Sequence, residues 1–243
     1  MRDTREAGDA RPLRADARRN RAQILAAARD VFVEQGSGAP LEDISRRAGT
    51  GIATLYRRFP DRQSLMRAVV IDALERTLDE ARGALAEEPS AFAALTRYMH
   101  RTLDIRIAAV IPTLLEEVSM QEEEMRRISD EGVAYVQQMI DTAQADGALR
   151  RDVTFGDIGL MIVRLARPLP GPIPRDLNDQ LAHRHLDLLI HGLKSDADRP
   201  SAEGPAMTLA DLRGLQSQPP GSAPAESASQ DEARTSEYED GTA

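Results

Sequence analysis

Between residues 50 and 62 the chain places Thr50, Thr54, Tyr56, Arg57, Arg58 and Arg62 close together. Hydroxyls and guanidinium groups donate to phosphate oxygens and to base edges, so this set suits recognition of a nucleic acid rather than bond-making chemistry. Leu55 and Phe59, four residues apart, supply an apolar side at helical spacing. A short helix with that side buried would turn its threonine, tyrosine and arginine side chains outward, as a helix seated in a DNA major groove requires. The candidate DNA contacts are Thr50, Gly51, Ile52, Ala53, Thr54, Tyr56, Arg57 and Arg58, joined by Arg62 as a phosphate contact from the next helix. Ile52 suits either a thymine methyl group or a small packing role.

The neighbouring residues are the ones needed to position such a helix. Pro40 fits a first helical position, and Leu41, Ile44 and Ala48 follow at i, i+3 and i+7. Gly49 can take the left-handed conformation that ends this helix, and Gly51 is read as keeping the connection tight. Pro60 ends the second helix. Asp61 then caps a third, whose apolar positions are Leu65, Met66, Val69, Val70 and Leu74. The pattern is a helix-turn-helix followed by a long helix.

At these residues the sequence resembles the TetR family of one-component transcriptional repressors. Ile24, Leu25, Ala28, Phe32 and Gly36 match the family's first helix. Ile44, Arg46, Arg47, Ala48, Gly49, Thr54, Leu55, Tyr56, Arg57, Arg58 and Phe59 match its ordered helix-turn-helix pattern. The match covers roughly the first 75 residues, and beyond them only the helical organisation is similar. Pro40 stands where many members have a phosphate-contacting threonine, Thr50 where a core valine is common, Gly51 where a serine caps the recognition helix, and Arg62 where lysine is usual. Ile52 occupies a position that is often polar. The resemblance implies an all-α protein, a homodimer bound to an inverted-repeat operator, and release by a small molecule.

Composition and charge agree. At 243 residues the chain has room for a small DNA-binding unit and a larger helical domain. The net charge is −9, yet residues 1–70 carry +5, residues 71–195 carry −7 and residues 196–243 carry another −7. Positive charge is thus concentrated where phosphate would be met. Without cysteine there are no disulfides or thiolate metal sites within the chain, and no metal or cofactor is expected. No apolar run reaches the roughly 18 residues of a membrane span, and the arginine-rich start lacks a signal-peptide core, so the expected compartment is the cytoplasm.

An enzyme would need a catalytic constellation, and none is apparent. Gly49-Thr50-Gly51 opens like a dinucleotide-binding glycine motif, but Thr54 stands at its third glycine and a helix precedes it. His183, His185 and His191 are the histidines that suggest a metal, but His183 and His185 fall on different faces of one helix and no acidic residue adds ligand spacing of the HExxH kind. A DNA-organising protein without ligand response is the principal alternative, and a small helical enzyme the weaker one.

The expected organisation is a flexible basic arm over 1–16, a DNA-binding domain over 17–62, a ligand-binding and dimerisation domain over 63–195 and a disordered acidic tail over 196–243. Pro112 is read as interrupting the middle helices. Met99, Leu103, Ile107, Leu115, Met125, Met139 and Met161 are candidate ligand-lining residues, with His100, Arg106 and Arg164 as polar anchors. Leu177, Leu181, Leu188 and Leu189 form a stripe on the last helix, with Gly192 allowing close approach; the resemblance makes this the dimer interface. The two recognition helices of such a dimer would stand roughly 34 Å apart.

Overall fold

The computed structural model describes residues 6–114, 117–196, 200–208 and 211, with side chains from Asp16 onward. The described residues form helices α1 (Glu6–Gln35), α2 (Leu41–Arg47), α3 (Ile52–Arg58), α4 (Arg62–Glu87), α5 (Ala91–Ile105), α6 (Ile107–Leu114), α7 (Glu123–Ala145), α8 (Phe155–Ala166) and α9 (Arg175–Leu193), and no strand. None of these helices is long and apolar enough to cross a membrane.

Local chemistry sets most of the boundaries. Ser64 N–H donates to Asp61 Oδ1 at 2.6 Å, and the Asp61 N–H donates to Ser64 Oγ at 3.4 Å, a capping box at the start of α4. Ser90 caps α5 through Ala93 N–H, and Thr154 forms a capping box with Asp157 at α8. Gly147, at φ +69°, follows α7 as a left-handed terminator.

Two apolar clusters form the core, and α4 serves both. The first joins α1, α2 and α3 to the N-terminal half of α4, then continues into α6 through Ile107, Val110 and Leu114 and into α7 through Met125 and Ile128. The second packs the C-terminal part of α4 with α5, the rest of α7, α8 and α9. The first cluster therefore crosses the 62/63 boundary drawn from the sequence.

Several features differ from the sequence reading. The chain is helical from Glu6, where a separate arm was expected, so residues 6–16 form the outer turns of α1; residues 1–5 lie outside the described residues. Pro40 is the N-cap of α2 rather than its first helical residue. Pro112 lies inside α6. The break comes instead at Arg106, which takes a left-handed conformation with φ 61° between α5 and α6.

Residues 200–208 are the last difference, since they dock on the body instead of trailing as part of a disordered tail. Ala202 N–H donates to Asp152 Oδ2 at 2.7 Å, Arg150 Nη2 to Pro200 O at 3.0 Å and Thr154 Oγ1 to Met207 O at 2.8 Å. Gly156 permits this approach: a Cβ there would lie 1.9 Å from Met207 O. Arg150 meets Asp152 with two hydrogen bonds and, together with the Ala202 N–H, holds its carboxyl far below the usual carboxylate range. The remainder of the expected tail, apart from Asp196 and Asp211, lies outside the described residues.

Candidate nucleic-acid interface

The turn between α2 and α3 is closed by backbone hydrogen bonds from Ala48 to Ile44, Gly49 to Arg46 and Thr50 to Ser45, at 2.9, 3.2 and 3.0 Å. Gly49 lies at φ +64°, where a side chain would be strained. Gly51 is different. It is extended, at φ −72° and ψ 145°, and a Cβ built on it meets nothing within 4 Å. Tight packing therefore does not require glycine at position 51, contrary to the sequence reading.

Leu55 is wholly buried and Phe59 nearly so, which locks the inner side of α3 against the first apolar cluster. Ile52 is half-buried and packs against the same cluster, so it faces the scaffold in part. Gly51, Ala53, Arg57 and Arg58 are exposed, and Tyr56 is 47% exposed. Thr54 and Thr50 are half-buried; Arg57 donates to Thr54 Oγ1 at 3.2 Å, and Thr50 Oγ1 to Gly51 O at 3.3 Å. The Arg21 guanidinium lies 5.9 Å from the centroid of the Phe59 ring, bringing α1 against the end of α3.

Arg62 is engaged within the protein. Its Nη1 donates to Ser37 O at 2.8 Å and Ala39 O at 2.6 Å, tying the start of α4 to the connection between α1 and α2. Of the basic pair on α2, Arg46 pairs with Asp43 at 2.9 Å and Arg47 with Glu34 of α1 at 2.7 Å.

Glu34 leads into a network that the sequence does not reveal. Arg175, at the start of α9, binds Asp30 Oδ1 at 2.6 Å and lies 3.6 Å from Glu34. Arg106 donates to both carboxylate oxygens of Asp179 at 2.8 Å and stands 3.7 Å from Asp30. These ion pairs connect α2, α1, α9 and the α5–α6 junction. Asp30 with Glu34, and Arg175 with Asp179, are four residues apart on their own helices, but the pairs that join one helix to another link residues far apart in the chain.

The candidate ligand residues are dispersed. Met99, Leu103 and Met139 are buried in the second cluster, with Met161 half-buried beside them, whereas Ile107 and Met125 belong to the first. Arg106 is held by Asp179, Arg164 is exposed, and Leu115 lies outside the described residues. A cleft of about 540 Å3 between the start of α4 and residues 117–122 is lined by Asp61, Gln63, Ser64, Arg67, Glu117, Val118, Ser119 and Glu122, none of them a candidate. On α9, Leu177, Leu188 and Leu189 are exposed, while Leu181 and Gly192 are half-buried. Among the described residues no group of three or more histidine or acidic side chains is placed to hold a metal ion.

Residues 24–69 match the model of the tetR family of bacterial regulatory proteins, and residues 90–195 match the C-terminal domain of SbtR-like transcriptional regulators. A TetR transcriptional regulator from Streptomyces coelicolor is 31% identical, with 73% of this chain and 99% of that one covered and a TM-score of 0.53. The chain belongs to the TetR family. A TetR regulator from Mycobacterium vanbaalenii is also 31% identical, covering 75% of this chain and 99% of that one, with a TM-score of 0.52. The ketosteroid transcriptional regulator of Mycobacterium tuberculosis, 16% identical over 72% of this chain and 95% of its own, shares the fold at a TM-score of 0.52. No curated protein matches the chain in sequence. As a TetR-family member the protein is a transcriptional regulator, not an enzyme, with the family's helix-turn-helix and an all-helical C-terminal domain.

Proposed function

We propose that this TetR-family regulator is a cytoplasmic repressor that binds an inverted-repeat operator as a homodimer and leaves it when a small molecule binds. The observation that carries the DNA reading is the two-sided character of α3. Leu55 and Phe59 are locked into the core while Ala53, Tyr56, Arg57 and Arg58 project from the other side. Arg57 and Arg58 meet phosphates, and Thr54 and Tyr56 reach the groove floor with Ala53 and the exposed edge of Ile52. Thr50 and Gly51 bring the backbone of the turn to the phosphates. Arg62 acts behind them by fixing the loop between α1 and α2.

Exposed Leu177, Leu188 and Leu189 support α9 as the subunit contact, flanked by Leu181 and Gly192. Flexible Met99, Met139 and Met161 in the second cluster support an effector that enters by parting α5, α7 and α8. α6, packed against α1 and α4, carries the displacement to the DNA-binding helices.

Selection from random double-stranded DNA by the full chain tests the reading. An enriched inverted repeat, bound more tightly than unrelated DNA and more weakly as salt rises, is the expected result. Salt-sensitive binding with no preferred repeat would instead favour a DNA-organising role.

A further inference from the structure

Between α5 and α9 lies a side-chain arrangement that the reading of α3 and α9 does not use. His100 Nδ1 and His183 Nδ1 are 2.9 Å apart. The ring planes differ by 9° and the ring centroids are 5.2 Å apart. That separation exceeds the N···N distance by twice the radius of an imidazole ring, so the two centroids and the two nitrogens are nearly collinear. The rings are therefore close to coplanar and meet edge to edge, with the Nδ1 atoms head-on. At the outer ends, His100 Nε2 is 3.1 Å from Asp187 Oδ1 and His183 Nε2 is 3.0 Å from Asp104 Oδ1.

This geometry fixes a proton count. Ionised carboxylates only accept, so each Nε2 carries a hydrogen and donates outward. Between the Nδ1 atoms one hydrogen makes a bond; two would set N–H against N–H, and none would set lone pair against lone pair. We propose that His100 and His183 form a proton-binding clasp, holding one shared proton that joins α5 to α9 between Asp104 and Asp187. The clasp carries three ring hydrogens and one positive charge.

The surrounding charges fit that state. Arg101 of α5 shares Asp104 at 3.1 Å and lies 3.6 Å from Glu80 of α4. On α9, Arg184 is exposed and Asp179 is taken by Arg106. α8, which packs against both helices, contributes only Asp157, held in its own N-cap, and the exposed Arg164 as ionisable side chains. Both histidines are part-exposed, at 24% and 32%, so protons reach them from solvent.

Linkage gives the sign. In acid the unfolded chain binds a proton on all four ring nitrogens of the pair and the clasp only three, so the clasp's contribution to stability falls as pH falls. In base the unfolded pair keeps two, so the contribution falls again as pH rises. The clasp belongs to the single chain and stands or falls independently of operator binding and of the subunit contact.

The test uses the full chain in two measurements. Nitrogen-15 NMR of histidine-labelled protein is expected to show both Nε2 atoms protonated and the Nδ1 pair sharing one proton; two independently titrating imidazoles would overturn the proposal. Thermal midpoints are then followed against pH for the wild type, for His183→Asn and His100→Asn, which each remove one titrating ring, and for the exposed His185→Asn as control. The wild type should exceed the two clasp variants by a few degrees in mid-range, with the gap closing on both sides and the control unchanged. A gap that stays constant with pH would overturn the proposal, as would a wild-type midpoint lowered by a chelator, which would mean a metal ion in place of the proton.

Discussion

Gly51 and Arg62 show how far a single residue's role depends on what surrounds it. Gly51 has the extended backbone of an N-cap and open space around the missing Cβ, but no side chain to accept from the first turn of α3. Gly51→Ser should therefore stabilise the protein by a few tenths of a kcal/mol, read as a rise of about 1 °C in the thermal midpoint. A fall would mean that the turn needs glycine after all. Arg62 spends Nη1 on two carbonyls of the α1–α2 connection, one of them from buried Ala39. Losing charge-assisted bonds at a part-buried site should make Arg62→Ala less stable by about 1–2 kcal/mol in urea unfolding. The variant should also weaken binding to every DNA sequence, because the loop and the start of α4 lose their tie. Unchanged stability with weakened binding would return Arg62 to a simple phosphate contact.

At the scale of elements, the α5–α6 junction stores strain that its ion pairs offset. Arg106 is the only non-glycine with positive φ among the described residues, and its guanidinium bridges Asp179 and Asp30. Arg106→Ala keeps the left-handed strain and loses the bridges, for a cost of roughly 2–3 kcal/mol. Arg106→Gly loses the same bridges but relieves the backbone, so it should be about 1 kcal/mol less harmful in denaturant unfolding. Equal losses would show that the junction is not strained. The docked segment 200–208 offers a second test. Asp152→Asn and Gly156→Ala should each free it, seen as faster proteolysis near residues 200–208 with the midpoint of the body little changed. Arg150 first and the Ala202 N–H second hold the Asp152 carboxyl far below its ordinary range, so the stability these contacts contribute is complete at neutral pH and declines as pH falls from the ordinary carboxylate range through the lowered one. What the sequence made legible follows from these distances. Gly49, Leu55, Phe59 and the Asp61 cap announce themselves through neighbours a few residues away, so the helix-turn-helix could be read directly. Asp30 with Arg175, His100 with His183 and Gly156 with Met207 are partners across the fold, and no periodicity encodes them. Apolar spacing also identified Met99, Met125 and Met139 as inward-facing without showing that they fall in two separate clusters.

For the whole molecule, the proposed homodimer depends on how two copies of α3 are held together. Leu188 is 62% exposed on α9, and Leu177 and Leu189 of the same helix are exposed as well, so a substitution there changes little inside one chain. In a two-fold dimer the same patch meets its own copy, and Leu188→Glu would bring carboxylates from both subunits into one apolar contact. The expected result is a folded monomer by sedimentation, with unchanged helical circular dichroism and a thermal midpoint that no longer rises with protein concentration. Operator affinity should fall by roughly 100-fold or more, because the second half-site is no longer bound at the high effective concentration that a dimer provides. The salt dependence should also flatten, since one head neutralises fewer phosphates than two. A Leu188→Glu protein that remained dimeric and kept its operator affinity would move the subunit contact away from this face of α9, while leaving the exposed reading surface of α3 in place.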